Sequence, residues 1–167
     1  MRMMASALLL AVLTAGCGRP VDLKQALRLS EMSGGFHDAG IVDNRNKLVP
    51  SLTFRITKSI DDDIRPLSLN VVFKQRPKPG TAVPPGSPAE TDWDEVFVQS
   101  VPFEGNQTAP ITIRTKAGYT GEMPQSRADM LKNSNFQDVR VHIFAKHSAS
   151  QWVEIGSFDI PRQVLAQ

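Results

Sequence analysis

Short runs in which every second side chain is apolar recur along this chain and decide what it can fold into. Leu52, Phe54 and Ile56 alternate with Thr53, Arg55 and Thr57, and Leu67, Leu69, Val71 and Phe73 alternate with Ser68, Asn70 and Lys74, broken only by Val72. In an extended strand successive side chains point to opposite faces, so a period of two buries one face and wets the other. The pattern returns at Val96 and Val98, at Ile111 and Ile113, at Val139, Val141 and Ile143, and at Val153 and Ile155. With an early strand over residues 21–29, this makes about seven strands, the number expected of an all-β, immunoglobulin-like two-sheet β-sandwich. Phe54, Leu69, Phe73, Val141 and Ile143 are its expected core. No repeat with a period of about 20–50 residues is visible, which excludes solenoids and propellers.

Turn signals separate the runs, at residues 59–63, at Glu104-Gly105-Asn106 and at residues 147–150, and Pro50, Pro66, Pro102, Pro110 and Pro161 sit at strand margins. Gly156 inside the last run predicts a bulge that re-aims Phe158 and Ile160. Over residues 21–29, Leu23, Ala26, Leu27 and Ser30 also fit a helical spacing; the expectation is a strand. Two longer segments break the rhythm. Residues 76–92 carry Pro77, Pro79, Gly80, Pro84, Pro85, Gly86 and Pro88 and read as an exposed, polyproline-like loop. Residues 118–133 contain Ser126-Arg127-Ala128-Asp129, a capping hydroxyl three residues ahead of a carboxylate, which predicts one short helix over residues 127–133.

The first residues are of another kind. Met1, Arg2, Met3 and Met4 precede an apolar run over residues 5–13, too short to span a bilayer, and then small residues lead to Cys17. Leu13-Thr14-Ala15-Gly16-Cys17 resembles the lipobox of bacterial lipoproteins, with Thr14 where that box most often has Leu. The resemblance implies a signal peptide over residues 1–16, a lipid on the Cys17 thiol and membrane attachment through it. Gly18, where an Asp would retain such a protein at the inner membrane, implies a cell-envelope protein on the outer membrane facing the periplasm. Cys17 is the one cysteine of the chain, which suits an oxidising compartment if it is acylated. Residues 17–160 are then the anchored sandwich and residues 161–167 a C-terminal tail. Over residues 48–73, a strand, a polar loop with Pro66-Leu67 and an alternating strand, the layout is similar to immunoglobulin-like modules of many uncharacterised bacterial lipoproteins, the FxLYD-type domains among them. That similarity implies fold and compartment and carries no activity.

Chemistry is sparse. There is no G-x-S-x-G elbow, no Ser with Lys three residues on, no G-x-G-x-x-G and no Walker loop. The expectation is a non-enzymatic protein with no cofactor. A formal net charge of +2 on 167 residues carries no nucleic-acid footprint. His37, His142 and His147 lack metal-ligand spacing. Asp61, Asp62 and Asp63, with Asp92, Asp94 and Glu95 from a second loop, are candidate calcium ligands; a solvated turn is the plainer reading of the acidic run. The leading expectation is a binding or assembly module for another envelope protein, and the alternative is a module for calcium or cell-wall carbohydrate. Among the aromatic residues, Trp93, Phe97, Tyr119, Phe144 and Trp152 fall at loop ends or opposite the Val and Ile rows, where they cap the sandwich or form an interface. The partner-binding candidates are Tyr119, Met123 and Arg127. Either Tyr119 and Met123 project outward with Arg127 at the rim, or these side chains plug the open end of the sandwich.

Overall fold

The computed structural model describes residues 21–61, 63–78 and 80–166, so the expected signal peptide, Cys17 and Asp62 lie outside the described residues. The elements run α1 (Leu23–Ala26), β1 (Leu27–Val42), β2 (Arg45–Lys58), β3 (Leu67–Gln75), β4 (Thr91–Val98), β5 (Ile111–Arg114), β6 (Tyr119–Glu122), α2 (Arg127–Lys132), β7 (Val139–His147) and β8 (Val153–Ile160). One sheet has the order β1-β2-β5 with β6 also on β2, and the other has the order β4-β3-β7-β8. Every named strand pair is antiparallel. The chain is therefore an all-β sandwich, with β1-β2-β5 in the A-B-E places and β4-β3-β7-β8 in the C′-C-F-G places of the immunoglobulin layout.

The alternating runs supply the inner faces. Leu52, Phe54 and Ile56 of β2, Leu67, Leu69, Val71 and Phe73 of β3, and Val139, Val141, Ile143 and Ala145 of β7 are all buried in one apolar cluster. The five expected core residues are fully enclosed. β5 and β6 form one interrupted line along β2. Ser51 pairs with Arg114 and Leu48 with Tyr119, so three steps along β2 match five along its neighbour and two residues are looped out. The expected bulge is present on β8: Ile143 faces Gly156 while Phe144 faces Glu154, leaving Ile155 as the extra residue.

Two expectations change. Residues 21–29 are not one strand. Asp22 caps α1 by accepting from the Lys24 N–H at 3.0 Å, and Leu23 and Ala26 bury one side of a single turn before β1 begins at buried Leu27. The helical spacing was the true signal over residues 23–26, and the expected strand begins only at Leu27. The long hairpin β1-β2 follows, closed by Asp43 and Asn44, both at positive φ (48° and 59°), as a two-residue hairpin turn requires. Finally, the segment over residues 118–133 is only partly an insertion, because β6 occupies its first half and α2 its second.

Antiparallel register defines two ends. At the entry end, the start of β1 (Leu27 opposite Lys58) meets the start of β3 (Leu67 opposite His147) and the start of β8 (Val153 opposite Ala145). The Ser59 N–H bonds the Ala26 carbonyl at 2.9 Å and ties α1 to that end. At the far end lie the β1-β2 turn, the start of β4 and the end of β6. The C-terminal segment is docked: the Phe36 N–H donates to the Gln163 carbonyl at 2.8 Å and the Leu165 N–H to the Phe36 carbonyl at 2.9 Å, a parallel pairing that covers the middle of the β1 edge.

Candidate partner-binding surface

Tyr119 opens β6, and its ring turns inward. It packs 4.2 Å from the Phe136 ring, 4.9 Å from Trp93 and 6.2 Å from Phe36, whose own ring meets Phe136 edge-on at 5.0 Å. The hydroxyl donates to the Gln137 carbonyl at 2.8 Å and accepts from Gln75 Nε2 at 3.1 Å. Burial raises the Tyr119 pKa above its ordinary value, outweighing the two hydrogen bonds. The outward-projecting placement of Tyr119 is thus corrected: a large ring with a satisfied polar tip gains more by closing the gap between the sheets than by standing in water. A cleft of about 210 Å³ remains beside it, lined by Tyr119, Gln125, Met130, Asn133, Asn135 and Phe136 among others.

Arg127, at the start of α2, is also drawn in. Its Nε donates to Asp38 at 2.9 Å and its Nη1 to the Asn46 side-chain oxygen at 2.6 Å, while Asn46 Nδ2 donates to the Gln125 carbonyl at 2.6 Å. Asn46 is buried, so its amide needs both partners. Burial raises the pKa of Asp38, but the Gly40 N–H and the Arg127 guanidinium outweigh it, and the net shift is downward from 3.8. Ser126 caps α2 as its sequence predicts, accepting from the Asp129 N–H at 3.1 Å. The result is a brace that fixes the segment after β6 to the β1-β2 hairpin.

Met123 is left on the outside, 53% exposed. It follows Glu122, which pairs with Arg45, and Arg45 pairs with Val42, so Met123 lies at the same end as the hairpin tip. There Ile41 is 58% and Val42 39% exposed. The end of β1 and the residue after β6, on either side of β2, therefore leave Ile41, Val42 and Met123 exposed at the far end, beside the Arg127 brace. The sequence reading missed Ile41 and Val42. Their signal was an apolar pair set directly before the turn residues Asp43 and Asn44, where polar side chains are the rule.

The acidic groups do not converge. Asp63 accepts from the Arg65 N–H at 3.0 Å, from its Nε at 2.8 Å and from its Nη2 at 2.9 Å, and these bonds hold its carboxyl far below the usual range. Asp94 accepts from the Lys116 and Ala117 N–H groups at 2.8 and 2.9 Å, which stitches β4 to the looped-out residues between β5 and β6. Asp92 pairs with Lys74 at 3.0 Å. Asp63 precedes the start of β3 whereas Asp94 faces Phe73 near its end, about 20 Å away at 3.3 Å per residue, so one calcium ion cannot take ligands from both groups. Among the described residues no group of three or more His, Asp or Glu side chains is placed to hold a metal. His142 does sit between Glu154 (2.7 Å from Nδ1) and Glu90 (2.8 Å from Nε2). Its two nitrogens face apart, so the carboxylates stand on opposite sides of the ring and clamp the end of the proline-rich loop to the sheet. His147 Nδ1 lies 2.7 Å from the Ile64 carbonyl, which links the end of β7 to the loop before β3 at the entry end.

Among the described residues no helix is long and apolar enough to cross a membrane. No protein-family model matches the chain, and no curated protein matches it.

Proposed function

We propose that this protein is a lipid-anchored envelope lipoprotein whose sandwich holds another envelope protein at its far end and performs no catalysis. The observation that carries the reading is positional. Ile41, Val42 and Met123 are each exposed at the end of the sandwich opposite the one where the chain arrives from Cys17. β1 alone spans 16 residues, roughly 50 Å at 3.3 Å per residue, so a lipid on Cys17 leaves this apolar tip far from the bilayer that holds it. A contact there serves a partner in the aqueous space. Exposed apolar side chains on a braced base suit protein association, because binding then costs little further ordering. The lipobox resemblance and the immunoglobulin-like layout support the compartment.

The test is photo-crosslinking in intact envelopes from a crosslinker placed at Met123, at Val42 and, as a control, at exposed Lys24 on the entry end. One crosslinked species from both tip positions, absent at Lys24 and lost in Ile41→Ser with Met123→Ser at unchanged melting temperature, supports the reading. No tip-specific product overturns it. A calcium-dependent rise in melting temperature supports instead the alternative of a ligand-binding module. An unmodified Cys17 in the intact mass of the native protein removes the anchor.

A further inference from the structure

The outer face of the β4-β3-β7-β8 sheet carries a second exposed apolar patch, and it lies at the entry end. Phe97 near the end of β4 is 53% exposed, and Trp152, just before β8, is 40% exposed. Their rings meet at 6.2 Å across the face of the sheet. Lys146 holds its ammonium 5.8 Å from the Trp152 ring, and Phe144 stands in the same row as Phe97, both opposite Asn70. In a monomeric domain such rings ordinarily turn inward, and Trp93, Tyr119 and Phe136 at the far end do so. What faces this patch follows from the chain around it.

We propose that the Phe97–Trp152–Lys146 patch rests on the headgroup boundary of the bilayer that carries the Cys17 lipid, which makes it a second membrane contact that sets the tilt of the sandwich. This orientation rests on the lipid-anchor reading above. Cys17 and Val21 are four residues apart, and four extended residues reach about 14 Å. The entry end is thereby held close to the headgroups, whose layer is itself about 5–8 Å deep on each side. Trp is at home at that boundary, where its ring is half in hydrocarbon and its N–H stays wet, and a Lys beside it extends its ammonium to the phosphates. Two rings bind a membrane feebly from solution. A tether of this length turns the encounter into an intramolecular one at high effective concentration, so weak interfacial affinity suffices. Glu95 stands two residues before Phe97 on β4 and Glu154 pairs with Phe144, so acidic groups lie on the same sheet as the rings and the contact depends on apolar insertion and not on anionic lipid.

The two tryptophans make the test internal, since Trp93 is packed among rings at the far end and Trp152 lies in the patch. The full-length lipoprotein, reconstituted into phosphatidylcholine vesicles with or without shallow-brominated acyl chains, is measured as Trp93→Phe and as Trp152→Phe. The expected result is strong bromolipid quenching of Trp152, several-fold greater than that of Trp93, and unchanged by added salt or anionic lipid. Equal quenching of both, or none of Trp152 in a protein that floats with the vesicles, overturns the contact and leaves the anchor standing. A protein that does not float with the vesicles overturns the anchor and this orientation together.

Discussion

Phe54 is fully enclosed between the sheets, and its ring fills space that no smaller side chain at that place would fill. Phe54→Ala should cost about 3–5 kcal/mol of stability, the range for aromatic truncation in a close-packed core, measured by denaturant unfolding. A loss below about 1 kcal/mol would mean that the site collapses without a cavity. Asp38 makes a different prediction, in pH. Its folded pKa lies below 3.8, so the unfolded chain takes up its proton first as pH falls. The stabilisation is complete above 3.8 and is lost as pH drops through the folded value. Asp38→Asn should therefore have a shallower fall of melting temperature below pH 3.8 than the wild type, although Asp63 and Asp159 keep it from becoming flat. Asp159 is lowered chiefly by its two-point hydrogen bond with Arg140 at 2.7 and 2.9 Å.

At the scale of elements, the break between β5 and β6 is built for close approach. A Cβ on Gly118 would lie 2.5 Å from the Leu48 carbonyl oxygen, a backbone atom that cannot swing away. Gly118→Ala should destabilise by about 1–3 kcal/mol, the usual cost of overpacking, and should loosen β6 and the Tyr119 ring with it. Thermal melting together with hydrogen exchange at the residues of β6 reads both effects; unchanged protection there would show that the strand line tolerates a shift. Gly156 is equally crowded, with Leu29 Cδ1 2.6 Å from a built Cβ, but the neighbour is the end of a flexible side chain and can give way. The Ser126 cap on α2 is a smaller matter: Ser126→Ala should cost about 1 kcal/mol, read by the same unfolding measurement.

Across the whole molecule, the C-terminal segment is the element that completes the sandwich. It joins β1 at Phe36, Gln163 Nε2 donates to the Gly34 carbonyl at 2.8 Å, and Arg162 Nε donates to Asp138 at 2.6 Å. Removing residues 162–167 should lower the melting temperature and uncover a strand edge able to pair with another copy, so size-exclusion chromatography should show concentration-dependent association. A monomer of unchanged stability would make the segment an accessory. Both apolar patches belong to this scale as well, since each gains its meaning from the end of the sandwich on which it falls.

The sandwich was legible from the alternation of apolar residues alone. Runs such as Leu67–Phe73, broken only by Val72, and Val139–Ile143 alternate because they lie in central strands with one face against the core, and local periodicity is enough to read them. The cap of α2 and the bulge at Gly156 were equally local. β1 was not legible, for a physical reason: two register breaks, at Ser30/Ser33 and Asp38/Ile41, shift its inward parity, and Gly34 and Gly35 occupy places where packing against Phe158, Ile160 and Leu165 leaves no room for a side chain. A strand whose buried positions are glycines shows no alternation. The site was less legible still. Met123 was marked by its insertion, but the inward turn of Tyr119 depended on rings from β1, β4 and the segment before β7, and the brace at Arg127 on Asp38 and Asn46, 89 and 81 residues away. Which apolar side chains stay exposed, and at which end, is a property of how the two sheets and their loops close on one another, and only the tertiary structure decides it.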